Sequence, residues 1–177
     1  MSEETATRLW TQAGFIDDVW TRIDGEPEVD AFDNVILPLA AFLDHAEARR
    51  NEPGRLGVHL EPGESLDVIV PHLDRLSLVS LGFPAYSDGR SFSKAELLRS
   101  RHGFKGIVRA QGDVLIDLVA HMLRTGFDEL EVRNGPTLAR LEAGLPGGLA
   151  VHYQPAAKAA ARPAAAPAYA WRRVPAS

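Results

Sequence analysis

Two arginines, Arg90 and Arg109, follow neighbouring predicted strands and could bind one oxyanion together. Arg90 closes a Ser-Asp-Gly-Arg loop at 87–90 after one strand, and Arg109 stands at the end of the next strand. A guanidinium group makes paired, charge-assisted hydrogen bonds to oxyanions. Since the carboxyl ends of parallel strands meet at one edge of a sheet, the two side chains are expected to face a common space. The alternative is that Asp88 pairs with Arg90 or Arg109 and only fixes the loop.

Two predicted helix starts adjoin these arginines and would add backbone N–H groups to an anion site. Ser93 and Glu96 have the S-x-x-E spacing of a capping box, and Asp113 precedes the following predicted helix. Gly89 can adopt a positive φ in the turn. The predicted anion- or partner-binding residues are therefore Asp88, Gly89, Arg90, Ser93, Arg99, Arg109 and Asp113. The rule on strand ends brings further residues to the same rim: His59, Glu61, Pro84, Tyr86, Gln111, Gly112, Arg133 and Asn134.

Positive charge is concentrated in the middle of an acidic chain. Residues 83–112 carry six Lys or Arg against two acidic residues, a local balance of +4, whereas the whole chain has a net charge of −5. This asymmetry favours an anionic ligand or an acidic partner. The basic run formed by Arg99, Arg101, His102 and Lys105 is either a solvated helix face or a docking patch for an acidic protein.

Signals for other chemistry are weak. Asp117 and His121 are four residues apart on a predicted helix, which allows either an oriented acid–base pair or an ordinary surface interaction. Asp17 and Asp18 are paired carboxylates in a predicted turn. The chain has no cysteine, so disulfides, thiol redox cycling and cysteine-ligated metals are excluded. The six histidines are scattered, and dinucleotide, P-loop and nucleophile-elbow motifs are absent. We therefore predict no metal and no cofactor, and identify no catalytic residue.

Composition bounds the class of protein. The 177 residues, 45% hydrophobic and 24% charged, fit one globular domain. The acidic balance argues against nucleic-acid binding, and no apolar run approaches the ~20 residues of a membrane helix. The N-terminal residues lack the pattern of a signal peptide, which predicts a cytoplasmic protein.

Strand and helix patterns alternate along the chain and predict an α/β fold with a mainly parallel sheet of about five strands, either an open sheet or a partial barrel. Residues 8–25 predict a hairpin around Gly14 or a short helix. The predicted domain covers 1–153, and the Ala/Pro-rich segment 154–177 is predicted to be a flexible tail. Within it, Trp171-Arg172-Arg173 could dock on a partner, or the tail has no role. The predicted strands are 35–37, 56–60, 76–83, 106–110 and 129–132; the predicted helices are 39–49, 64–75 (interrupted by Pro71), 93–102 (ended by Gly103), 114–125 (stopped by Gly126) and 136–143.

The central block resembles the domain-of-unknown-function 934 family. The motifs are F-P-x-[FY]-[ST]-D-G-R-x-[FY]-S at 83–93, L-L-R at 97–99, R-x-G-[FY]-x-G at 101–106, R-A-x-G-D-V-L at 109–115 and R-x-G-F-D at 124–128. The likeness extends more loosely back to Val35 and does not cover the tail. Members of that family are described as oxidoreductases involved in sulfite reduction, encoded beside assimilatory sulfite reductase and adenylyl-sulfate reductase. The resemblance thus implies sulfate assimilation but supplies no agreed catalytic residues.

Three departures from the family pattern bear on the chemistry. Where the family usually has an acidic residue before R-A, this chain has Ile107-Val108. Asp117-Leu118 stands in place of Asp-Gln, and Thr125 in place of a cysteine that many members carry. None of those three groups can therefore be essential here.

Three hypotheses follow. The first is an accessory protein, or an oxidoreductase by resemblance only, that acts with sulfite reductase or its electron donor. The second is an enzyme or carrier for a small sulfur oxyanion, with an arginine-lined site at the carboxyl edge of the sheet. The third is a structural homodimer whose charged loops set the register.

Overall fold

The computed structural model describes residues 6–23, 34–45, 55–85 and 87–147, so the predicted tail lies outside the described residues. Its strands are β1 (Arg8–Thr11), β2 (Gly14–Ile16), β3 (Thr21–Arg22), β4 (Asn34–Pro38), β5 (Arg55–Leu60), β6 (Leu76–Phe83), β7 (Ile107–Gly112) and β8 (Glu129–Val132). Its α-helices are α1 (Leu39–His45), α2 (Arg90–Ser100), α3 (Ile116–Thr125) and α4 (Gly135–Glu142).

The eight strands form one sheet in the order β2-β1-β8-β7-β6-β5-β4-β3. Strands β3 to β8 pair in parallel, and β1 runs antiparallel to both β2 and β8. The five predicted parallel strands are confirmed as β4 to β8, and the predicted hairpin around Gly14 is confirmed as β1 and β2. The expected total of about five is too low, because the hairpin joins the sheet and because β3, only two residues long, has no sequence pattern of its own.

Two predicted helix starts are wrong by three and two residues. Helix α2 begins at Arg90 after Gly89, and Asp88 Oδ1 accepts a hydrogen bond from the Arg90 backbone N–H at 3.2 Å. Ser93 is therefore an exposed residue inside the helix and not its cap. Helix α3 begins at Ile116 with Leu115 at its N-cap position, two residues after Asp113.

The predicted helix at 64–75 consists of two short 3₁₀ turns, Leu66–Val68 and Val70–His72. Pro71 stands at the start of the second turn, where its missing N–H costs nothing, and it prevents one continuous helix. The ends of the other helices follow their sequence signals. Gly126 closes α3 with a φ of 109°, and the Asn134 side chain accepts a hydrogen bond from the Thr137 N–H at α4. For the predicted helix at 39–49, the residues beyond His45 lie outside the described ranges.

All four helices pack on one face of the sheet. Alternate strand residues such as Val79, Leu81 and Val108 form a single core there with Leu98 of α2 and Met122 of α3. This face follows from the period of two along a strand, which sends successive side chains to opposite sides. None of the helices in the described part of the chain has the length and apolarity required to cross a membrane.

The opposite face of the sheet, hereafter the second face, is crossed by residues 17–20, the crossing segment. Trp20 packs there with Ile36 and Leu78 in a small separate cluster, and the Asn34 side chain donates to the Val19 carbonyl. The segment connects β2 with β3, which are the two edges of the sheet. The five Cα–Cα steps from Ile16 to Thr21 reach at most about 18 Å, whereas the edges of a flat eight-stranded sheet would be about 34 Å apart. The sheet must therefore curl around the crossing segment, as an open half-barrel.

Candidate functional site

A cleft of about 160 Å³ opens at the carboxyl edge of β5, β6 and β7, where parallel α/β proteins bind their ligands. Its floor comes from these three central strands, and its flanks come from the end of β3 and the residue after β8. The residues that line it are Arg22, His59, Glu61, Gly82, Phe83, Pro84, Gln111, Gly112 and Arg133.

Close contact between the ends of β6 and β7 shapes the floor. The Asp113 N–H donates to the Phe83 carbonyl at 2.7 Å, and Gly112 has a φ of 109°. A Cβ on Gly112 would lie 2.3 Å from the Phe83 oxygen, which no side chain can tolerate. Glycine is thus required at 112 both for the backbone conformation and for the approach of the two strands.

A chain of polar side chains runs beneath and into the cleft. His59 Nδ1 lies 3.0 Å from the buried Ser80 hydroxyl, and His59 Nε2 lies 3.3 Å from Glu61 Oε1. The Gln111 side-chain amide lies 3.3 Å from the Ser80 hydroxyl on its other side. Burial, with a further contribution from Arg22, lowers the pKa of His59 below its ordinary value of 6.5. The imidazole is therefore neutral at neutral pH.

A neutral imidazole carries one N–H proton, on Nδ1 or on Nε2. The Ser80 hydroxyl donates to Gln111 Oε1, and its oxygen lies beside His59 Nδ1. Because a carboxylate only accepts, a hydrogen bond between His59 and Glu61 uses a proton on Nε2. Ser80 is fully buried, so its hydroxyl orients the imidazole and is not exposed to a ligand. The groups that reach the cleft are the imidazole edge, the Glu61 carboxylate and the Gln111 amide.

The loop after β5 holds Glu61 in place. The Glu61 carbonyl accepts from Lys94 Nζ at 2.6 Å and from the Glu64 N–H at 3.0 Å, and the Glu61 N–H donates to Glu64 Oε2 at 2.7 Å. Lys94 is buried, and burial lowers its pKa. Helix α2 thus contributes a buried lysine to the support of the cleft, while the Glu61 side chain is 58% exposed.

Two exposed arginines flank the cleft. Arg22 ends β3, and Arg133 directly follows β8, on the far side of the three central strands. Both side chains line the cleft together with the single carboxylate of Glu61. The opening therefore presents two guanidinium groups, one carboxylate, one neutral imidazole and one amide, a set that fits a small anion.

Arg109 does not line this cleft, and it does not form the predicted clamp with Arg90. Its side chain is buried on the second face of the sheet, where it binds three carboxylates. Both NH groups donate to Asp18, at 2.7 and 3.0 Å, and Nε donates to Glu129 Oε2 at 2.9 Å. The third carboxylate is Glu131, 3.4 Å from NH1; its own pKa is raised by burial. Arg109 thus attaches the crossing segment to β7 and β8.

Arg90 pairs with Asp88, as the alternative interpretation of the loop predicted. Arg90 Nε and NH2 donate to the two carboxylate oxygens of Asp88 at 3.0 and 2.6 Å. These hydrogen bonds lower the pKa of Asp88 to about 2. With Arg109 held by three carboxylates, the two arginines predicted to form a clamp have separate partners, and the structure does not bring them together.

Arg99 is a structural residue and not part of an exposed patch. Its guanidinium donates to the carbonyls of Phe104, Gly106 and Gly126 and pairs with Asp128. It joins the C-terminal end of α2 to the turns before β7 and β8. Of the remaining predicted residues, Gly89 stands at the start of α2, Ser93 is exposed on that helix, and Asp113 joins β7 to β6 through its backbone.

The Asp117 and His121 pair does not supply an acid–base site either. His121 Nδ1 lies 2.6 Å from an Arg124 nitrogen, and its ring packs on Phe92 with centroids 4.3 Å apart. Asp117 is exposed on the first turn of α3. No group of three or more potential metal ligands occurs among the residues that the structure describes.

A second cleft of about 270 Å³ lies at the opposite end of β8, beside the turn of the β1–β2 hairpin. Its charged residues are Asp128 and Glu129, which are already paired with Arg99 and Arg109. The cleft at the carboxyl edge is therefore the better candidate. Sequence reasoning had placed His59, Glu61, Gln111 and Arg133 on that rim but missed Arg22, because a two-residue strand gives no signal.

The fold and the cleft together define a class: an α/β protein with one open, largely parallel sheet, helices on one face, and a polar cleft at the carboxyl edge. The sequence model of a family described as bacterial protein of unknown function (DUF934) matches residues 57–164. The match covers more than half of the chain, and the chain belongs to this family. It confirms the likeness drawn from the motifs of the central block and continues past 154. No curated protein and no solved structure matches the chain.

Proposed function

We propose that the protein binds a small oxyanion in the cleft at the carboxyl edge of β5 to β7, as a carrier or as an enzyme acting on that anion. The observation that carries the proposal is the pair of exposed arginines, Arg22 and Arg133, on the two flanks of a floor that holds His59 and Glu61. Two guanidinium groups favour an anion, and the volume suits a ligand of a few heavy atoms.

Sulfur oxyanions are the first ligands to test. The family resemblance points to sulfite reduction, and sulfite and sulfate are compact oxyanions of the size that this cleft admits. An oxidoreductase role would require an electron carrier from outside the chain, because the chain has no cysteine and the cleft offers no redox-active side chain.

Calorimetry and thermal unfolding of the full chain with sulfite, sulfate and phosphate test the proposal. A ligand that binds only the folded state should raise the midpoint temperature of unfolding. At a concentration of 100 times its Kd, it should add about 2.7 kcal/mol to the free energy of unfolding. Arg133→Gln and Arg22→Gln should weaken binding about 10-fold each. Arg101→Gln is the matched control, since Arg101 is an exposed arginine beyond the end of α2. Absence of binding by all three anions to folded protein would overturn the proposal.

A second proposal is that the protein docks on sulfite reductase or its electron donor through the basic surface beyond α2. Arg101 and Lys105 are both exposed there. Arg99, in contrast, is committed to backbone carbonyls and Asp128, so its substitution would damage the fold and cannot report docking. Exposed charges mainly increase the rate of association and make it depend on salt.

Co-purification from sulfate-grown cells tests the second proposal. Sulfite reductase or its donor should co-purify with the wild-type chain at low salt, and the doubly substituted Arg101→Glu, Lys105→Glu chain should lose it. Arg140→Glu, which reverses an exposed charge on α4, is the control and should retain the partner. If all variants retain the partner equally, the basic surface is not the docking site; if none of them ever captures it, the proposed partner is wrong.

A further inference from the structure

We infer that the cleft selects oxyanions that carry an O–H group over oxyanions of the same charge that have none. The inference rests on the proposed anion binding and specifies the class of ligand. It follows from the position of the Glu61 carboxylate between the two arginines, at a point where the bound anion must meet a hydrogen-bond acceptor as well as donors.

Glu61 directs one carboxylate oxygen toward the floor of the cleft. Oε1 lies 3.3 Å from His59 Nε2, while Oε2 lies 3.0 Å from the position that a Cβ on residue 82 would occupy. Gly82 itself lines the cleft. Oε2 thus stands over the floor, in the space that a ligand between Arg22 and Arg133 would enter.

The residues around Glu61 hold its carboxylate beside the two arginines. Arg22 and Arg133 line the same cleft, and Lys94 and Glu64 hold the loop from behind through the Glu61 backbone. A carboxylate without a proton of its own has only acceptor sites.

An anion made entirely of acceptor oxygens would face Glu61 with no proton between them. Two acceptors at hydrogen-bond distance repel each other, and no hydrogen bond compensates for the free-energy cost of removing water from both. An oxyanion with an O–H group can donate to Glu61 Oε2 while its other oxygens accept from the arginines. A charge-assisted hydrogen bond of this kind corresponds to a preference of about 10- to 100-fold.

Monohydrogen phosphate and sulfate provide a matched pair of probes. Both are tetrahedral dianions of nearly the same size under mildly alkaline conditions, and only the phosphate carries an O–H group. Titration calorimetry of the full chain should give a Kd for phosphate about 10- to 100-fold below that for sulfate. The ionic strength must be identical in both titrations, because exposed arginines are screened by salt.

Glu61→Gln is the decisive variant, because the amide has the same shape but presents an N–H donor. It should strengthen sulfate binding and abolish the preference for phosphate. Glu96→Gln, at an exposed position on α2, removes the same charge away from the cleft and should keep the wild-type preference. Circular dichroism would establish that both variants are folded.

The outcomes separate this inference from the proposed function. If neither anion binds the folded wild-type chain, anion binding itself is wrong. If both bind with equal affinity, or if Glu61→Gln retains the wild-type preference, the cleft still binds anions but does not select them through Glu61, and the inference is overturned. If phosphate binds more tightly and Glu61→Gln removes that preference, the inference is supported.

Discussion

Arg109 and Asp18 form a bidentate ion pair across 91 residues of sequence, with NH1–Oδ2 and NH2–Oδ1 distances of 2.7 and 3.0 Å. The pair attaches the crossing segment to the second face of the sheet. Arg22 lies four residues after Asp18 and lines the cleft. The short stretch of chain between Asp18 and Arg22 therefore links the position of Arg22 to the ion pair that Asp18 forms with Arg109.

Asp18→Ala should weaken anion binding although Asp18 does not line the cleft. Releasing the crossing segment lets Arg22 sample other positions, so we expect a loss of about 3- to 10-fold, a fraction of one charged contact. In a chain that already carries Arg22→Gln, Asp18→Ala should cause no further loss, because Asp18 then has no arginine to hold in position. Calorimetric Kd values for the two single variants and the double variant measure this coupling. Asp17→Ala, at the adjacent exposed residue, is the control.

Arg109→Met should lower the free energy of unfolding by about 3–5 kcal/mol, because it leaves Asp18, Glu129 and Glu131 together without their cation. Urea unfolding followed by circular dichroism gives this value. Arg90→Met also removes one ion pair, but that pair is exposed, and the urea midpoint should stay close to wild type. Equal effects of the two substitutions would contradict the assignment of Arg109 as the residue that holds the second face together.

Gly82→Ala should impair anion binding while leaving the fold intact. The new methyl group would lie 3.0 Å from Glu61 Oε2 and 3.4 Å from His59 Nε2, so the carboxylate must shift by a few tenths of an ångström and the floor becomes narrower. We expect affinity for phosphate to fall about 3- to 10-fold. Gly135→Ala is the matched control, since nothing lies within 4 Å of its added Cβ. Wild-type affinity in Gly82→Ala would show that the ligand does not reach this floor.

The buried His59 should make stability depend on pH. Its pKa is lowered in the folded state, so below the ordinary value of 6.5 the unfolded chain binds a proton that the folded chain does not. Stability should therefore fall as the pH falls through that value. His59→Gln should flatten this part of the profile, measured as urea unfolding free energies between about pH 5 and 8. A slope unaltered in His59→Gln would refute the assignment.

The parallel strands and the rim of the cleft could be predicted because they depend on local patterns. Short apolar runs such as 76–83 mark buried strands, and the rule on strand ends then placed His59, Glu61 and Arg133 at one edge. For residues 8–25 the sequence left a hairpin and a short helix open; the structure has the hairpin, and Gly14 in its turn has a φ of 120°, which favours glycine.

The roles of the arginines could not be read from their spacing. Arg109 lies between Val108 and Ala110, both buried in the helix-side core, so the period of two sends its side chain to the second face. That alternation was a usable signal for the direction. Its main partner, Asp18, is set by the path of the crossing segment, which no local pattern encodes.

The start of α2 differs from the predicted start for a local reason. Asp88 accepts a hydrogen bond from the Arg90 N–H and so competes with the capping box predicted at Ser93.

The family match begins inside β5, whereas β1, β4 and the crossing segment come from earlier residues. A protein trimmed to the matched segment would lose the neighbours of β5 and β8, leaving both as bare edges with unpaired backbone groups. It would also lose one of the two cations that flank the cleft. Recombinant work on this family should therefore keep the N-terminal residues, because a shorter fragment invites self-association and would give a misleading negative in any ligand screen.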